Sequence, residues 1–120
     1  MKLATLRTGF GTSAIRIDGD NVGVELDYED VGQLLRSEDW RKAAQLSGEP
    51  VVFDHADLEA VVPTPGKVIC VGLNYAKHIR EMGREFPEHP TLFIKFADAL
   101  TGPYDDVFIP EYGTQKLDYE

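Results

Sequence analysis

Cysteine is nearly absent from this chain: Cys70 is the only one, so no intrachain disulfide can form and the expected setting is reducing. Basic residues are also scarce. Twelve Lys and Arg stand against 21 Asp and Glu, a formal net charge of −9. A surface of that sign repels phosphate backbones and anionic lipid, which argues against nucleic-acid and membrane partners. Long apolar runs are missing too. Val68–Val71 is far too short to cross a bilayer, and Met1–Phe10 is interrupted by Arg7 and lacks the apolar stretch of a secretory signal. The expected location is the cytoplasm. No repeat, low-complexity tract, phosphate-binding glycine loop or calcium loop occurs.

With 42% hydrophobic and 28% charged residues, the composition suits a soluble globular protein with a core. The chain divides at Val62-Pro63-Thr64-Pro65-Gly66, where two prolines and a glycine favour an extended connection. The expectation is two domains, 1–62 and 63–120. In the first, Leu3–Arg7, Ala14–Asp18 and Val22–Leu26 alternate at strand period around the turn Asp18-Gly19-Asp20-Asn21, predicting a β-meander. Val31, Leu34 and Leu35 predict a helix. Ser37 is expected to cap a second one, packed by Trp40, Ala43, Ala44 and Leu46 and ending before Gly48. Asp27, Glu29 and Asp30 are read as solvated, and His55 and His89 as surface residues. This half reads as structural.

The pattern then changes. Lys67–Val71, flanked by glycines, predicts a strand buried on both faces, with Cys70 an inert thiol within it. Ala76–Met82 predicts a short helix stopped by Gly83, and strands are expected at Thr91–Phe96 and Val107–Ile109. Leu117-Asp118-Tyr119-Glu120 alternates again without a turn or cap, which suggests that the chain is cut short. The predicted fold class is α+β, mainly β: a small N-terminal meander with short helices, then the start of a larger β core.

Two constellations could carry chemistry. His78 and Glu81 lie three apart and share a helical face, so a carboxylate could steer an imidazole acting as general base. On spacing alone, an ordinary solvated pair is the better explanation. At the end, Asp118 and Glu120 would project to one face of a strand, where a further carboxylate would complete a hard-oxygen site. Solvated carboxylates are again the ordinary explanation. Lys95 reads either as an edge lysine or as a charge aimed into a pocket. Lys77, Arg80 and Arg84 could hold a distal substrate carboxylate or be solvated.

Read in order, Pro65-Gly66-Lys67-Val68-Ile69-Cys70-Val71-Gly72-Leu73-Asn74-Tyr75, His78-Ile79-Arg80-Glu81, Pro90-Thr91-Leu92-Phe93-Ile94-Lys95-Phe96, Ala99-Leu100-Thr101-Gly102-Pro103 and Asp118-Tyr119-Glu120 resemble the fumarylacetoacetate hydrolase family. Residues 1–62 resemble the small N-terminal domain of its bacterial members less closely. In many members proline follows the lysine matching Lys95; here Phe96 does.

The resemblance implies a mixed β-roll-like core, His78 as general base and Glu81 as its partner. It makes Glu120 the first of three metal-binding carboxylates, and Asn74, Tyr75 and Lys95 candidate substrate contacts. It further implies a divalent cation, usually Mg²⁺ with Mn²⁺ or Ca²⁺ as alternatives, and a homodimer. The substrate would be a small anionic 2-oxo or 2-hydroxy-dienoic acid of aromatic catabolism. The branch favoured by analogy is that of 2-hydroxyhepta-2,4-diene-1,7-dioate isomerase; the alternatives are an acylpyruvate or fumarylacetoacetate-type C–C hydrolase, or, outside enzymes, a non-catalytic binding module.

Overall fold

The computed structural model describes residues 1–113; the expected strand at 117–120, with Asp118 and Glu120, lies outside the described residues. Among the described residues, seven strands, three short α-helices and two single-turn 3-10 helices give an α+β protein dominated by antiparallel sheet. Strands β1 (Lys2–Thr8), β2 (Gly11–Ile17), β3 (Val22–Glu25), β4 (Pro50–Val52) and β5 (Leu58–Glu59) form one five-stranded sheet in the order β4-β3-β2-β1-β5. The central pair, β1 and β2, runs in register from Lys2 opposite Ile17 to Thr8 opposite Gly11. The meander read from the alternation is present. The outer strands β4 and β5 escaped the sequence reading because three and two residues are too few to show a period.

Alternation along β1 and β2 supplies two apolar faces. Ala14 joins Leu26, Val31, Leu34 and Ala44 on one side, where helices α1 (Val31–Leu35) and α2 (Trp40–Ala43) cover the sheet. Ala4, Leu6 and Ile15 meet Phe53 on the other. Thr5, fully buried, lies among the apolar residues of β1. Its hydroxyl donates to the Val61 carbonyl (2.8 Å) and accepts from the Val31 amide (3.1 Å), so it ties the start of α1 to the segment leaving the sheet.

Local chemistry explains the helix boundaries. Asp30 is not merely solvated: its carboxylate caps α1 by accepting from the Gln33 amide at 2.7 Å, and the Gln33 side chain accepts from the Glu29 amide at 2.7 Å. Ser37 does not cap the second helix. Asp39 holds the N-cap position of α2 without a side-chain hydrogen bond, and the Ser37 carbonyl accepts from Trp40 instead. Trp40, Ala43 and Ala44 pack as expected, whereas Leu46 is 58% exposed because the helix has already ended. Arg16 takes over there, donating to the Ala44 and Leu46 carbonyls (3.0 and 2.9 Å) while forking onto Asp18.

Beyond the proline-rich connection, β6 (Val68–Gly72) pairs antiparallel with β7 (Thr91–Lys95) as a separate two-stranded sheet. The predicted strand forms, but it is not buried on both faces. Ile69 is 57% exposed and Ile94, paired with it, 69%, so the face they share is uncovered among the described residues. Cys70, on the other face, is half-buried. Val107–Ile109 is not a strand; it finds no ladder among the described residues and its side chains are exposed.

The two sheets are joined through the loop after β7. Arg7 of β1 donates to both carboxylate oxygens of Asp105 (2.7 and 2.6 Å) and to Glu59 of β5 (2.8 Å). The guanidinium, through these hydrogen bonds, holds both carboxyls below their usual range, and the Ala60 and Gly102 amides lower them further. His55 is a half-buried residue with partners, not a plain surface one. It stacks between Phe53 and Tyr104, and its Nε2 lies 2.8 Å from the Asp20 carbonyl.

Candidate functional site

Strand β6 ends at Gly72, and the chain turns sharply through Leu73, whose φ of 54° lies in the left-handed region that a branched side chain seldom enters. Such backbone strain concentrates where a turn must aim side chains at a site. Asn74 and Tyr75 follow, both exposed, and Tyr75 sits at the N-cap position of α3 (Ala76–Glu81). Only Ile79 of this helix is buried; His78 and Glu81 face solvent. The helix stops as expected at Gly83. With φ 64°, that glycine donates to the Arg80 carbonyl (3.0 Å) while the Arg84 amide reaches back to Ile79 (3.1 Å), a complete Schellman closure.

The helix therefore carries both members of the anticipated acid–imidazole pair. No hydrogen bond joins His78 to Glu81 among the described residues; the Glu81 carboxylate lies 3.8 Å from the Lys77 ammonium instead. Arg80 is drawn over the Phe86 ring, its guanidinium 5.3 Å from the centroid. The cationic side chains around His78 thus include two with partners of their own, Lys77 and Arg80.

An open groove of about 300 Å³ lies between the turn after β6 and the loop before β7, lined by Gly72, Leu73, Asn74, Glu88, His89 and Pro90. Asn74 reaches this groove, whereas Tyr75, His78, Glu81 and Lys95 do not line it. His89, read from the sequence only as a surface residue, lines the groove at a bend between Pro87 and Pro90. Lys95 stands opposite Val68, four register steps from the Gly72–Thr91 pair, or about 13 Å along the ribbon. The structure thus gathers Asn74, Tyr75, His78 and Glu81 on one turn and helix and places Lys95 at the ribbon's other end.

No group of three or more His, Cys, Asp or Glu is placed to hold a metal ion among the described residues, and Glu120 lies outside them. Likewise, no described helix is long and apolar enough to cross a membrane.

A strand, a strained turn and a short helix bearing a histidine and a glutamate are the part of the molecule that comparison with known proteins identifies. Residues 67–120 match the family described as fumarylacetoacetate (FAA) hydrolase C-terminal, and over these residues the chain belongs to the fumarylacetoacetate hydrolase family. Among relatives, it is 48% identical over 61 residues to the mitochondrial oxaloacetate tautomerase FAHD2A of Bos taurus, a match covering 51% of this chain and 19% of that protein. It is 43% identical over 91 residues to the fumarylacetoacetate hydrolase domain-containing protein 2 homolog of Dictyostelium discoideum, covering 72% of this chain and 29% of that one. The crystal structure of an HpcE-like protein from Mycobacterium smegmatis superimposes with a TM-score of 0.70 at 26% identity, over 92% of this chain and 41% of its own. Coverage that high takes in most of the five-stranded sheet as well as the ribbon. The chain spans about a fifth of the length of the bovine relative.

Proposed function

We propose that this chain supplies the acid–base half of a metal-dependent isomerase or hydrolase acting on a small 2-oxo or 2-hydroxy-dienoic acid. The observation that carries this reading is the placement of His78 and Glu81 on α3 directly after the strained turn at Leu73, within the residues that match the family. One relative is named an oxaloacetate tautomerase, which favours keto–enol chemistry on a dicarboxylate over simple hydrolysis. A dienoate of aromatic catabolism and an acylpyruvate are the other substrates in view.

In this reading His78 takes a proton from the carbon next to the substrate carbonyl and returns it to the oxygen or to a distal carbon. Glu81 orients the ring and balances the imidazolium charge. Exposed side chains change rotamer in picoseconds to nanoseconds, so the pair can close from the observed positions by side-chain rotation alone. Asn74 and Tyr75, on the turn that leads into α3, are proposed substrate contacts beside His78. A divalent cation, Mg²⁺ before Mn²⁺ or Ca²⁺, would polarise the 2-oxo acid end. Glu120 is the proposed first ligand, and Lys95 a proposed substrate contact. The active assembly is proposed to be a homodimer.

The test is oxaloacetate tautomerisation and acylpyruvate cleavage, followed with and without Mg²⁺ and after EDTA. His78→Ala should lower kcat by about 10²–10⁴-fold and Glu81→Gln by less, as expected for loss of a general base and of its orienting partner. Turnover that survives both His78→Ala and chelation refutes the mechanism. A second reading, a non-catalytic interaction module, draws support from the apolar face of Ile69, Val71, Leu92 and Ile94 that β6 and β7 leave open. Concentration-dependent self-association with no turnover of any 2-oxo acid would favour it.

A further inference from the structure

The loop Gly102–Asp105 makes three different kinds of contact with one edge of the five-stranded sheet. Asp105 receives a two-pronged hydrogen bond from Arg7, whose third donor is occupied by Glu59. Tyr104 stacks on His55 with ring centroids 5.5 Å apart, its hydroxyl 3.2 Å from Nδ1. Because the Asp20 carbonyl can only accept, Nε2 of His55 carries the hydrogen, and in the neutral ring Nδ1 then accepts from Tyr104. Gly102 is buried, and a Cβ there would stand 2.5 Å from the Leu58 carbonyl oxygen, a distance no side chain tolerates. The Gly102 amide also donates to Asp105 at 2.7 Å, so the same carboxylate closes the loop on itself and grips the sheet.

From this geometry we infer that residues 102–105 are a plug and that Arg7, Glu59, His55 and the Leu58 carbonyl are its socket. Together they form a built-in latch that seats the segment following β7 on the sheet of residues 2–59. An isolated exposed ion pair would be worth little. This one differs in being bidentate, shared among three charged groups 98 residues apart at its ends, and backed by a backbone approach open only to glycine. Arg7 and Asp105 are positioning residues in this scheme. The inference does not depend on which reaction the protein performs.

Amide hydrogen exchange on the intact chain tests it. Arg7→Gln should speed exchange of the Gly102 and Asp105 amides by roughly tenfold or more while β2 and β3 amides keep their rates. Gly102→Ala, which leaves every charge in place, should do the same by blocking the approach to Leu58. Unchanged exchange at 102–105 in both Arg7→Gln and Gly102→Ala would overturn the latch. So would an equal loss of protection across β1–β3, since that would make Arg7 an ordinary stabilising residue of its sheet.

Discussion

At the scale of single residues, the informative positions are polar groups inside apolar surroundings. Thr5 is the clearest, being fully buried with its hydroxyl bonded at both ends. Thr5→Val keeps the shape but removes the donor to the Val61 carbonyl and strands the buried Val31 amide without its acceptor. The expected loss is about 1–3 kcal/mol in a urea unfolding curve. Thr5→Ser retains both hydrogen bonds and should lose only about 1 kcal/mol for one methyl group. A valine variant as stable as the parent would show that neither bond matters. The same reasoning separates His55 from His89. Both sit in polar stretches of sequence, yet only His55 finds a carbonyl, a hydroxyl and two rings within reach.

At the scale of elements, the strands and helices with a clear period were readable and the ones set by distant partners were not. Alternation gave β1, β2 and β3, and helical spacing gave α1 and α3, because each carries its own side-chain pattern. Strands β4 and β5 exist only because an edge of the larger sheet is there to pair with, and Val107–Ile109 has strand composition but no such edge. For the candidate site, the helix and its glycine stop were legible in the sequence, and the left-handed turn at Leu73 was not, since leucine gives no local hint of it. The stop itself is testable. Gly83→Ala forces an L residue to φ 64° and should cost about 1–2 kcal/mol. The cost should appear as faster exchange of the Gly83 and Arg84 amides and reduced order of α3. Because His78 and Glu81 ride on that helix, the same variant should impair any chemistry they perform more than it lowers global stability.

At the scale of the whole molecule, the two sheets differ in what covers them. The five-stranded sheet has apolar partners on both faces, through α1 and α2 on one side and Phe53 on the other. The β6–β7 ribbon has two strands and one open face, where Ile69, Leu92 and Ile94 are all more than half exposed, while Val68, Cys70 and Gly72 on the other face are half-buried. An isolated two-stranded sheet is marginal in water, so the ribbon's strength must come from its ladder, the helix α3 beside it and whatever contacts the loops provide. The sequence reads β6 as buried on both faces because its residues are those of a covered strand. Composition records what a strand is suited to meet, and the described structure shows only what it meets within residues 1–113. This contrast predicts two tiers of stability. Amides of β1 and β2 should exchange near the limit set by global unfolding, and those of β6 and β7 at least about a hundredfold faster through local opening. Equal protection of the two sheets would mean that the ribbon's open face is covered in solution, by a second copy or by another partner. Dilution then distinguishes self-association from a monomer, because ribbon protection that depends on a second copy should fall with concentration while that of β1 and β2 holds.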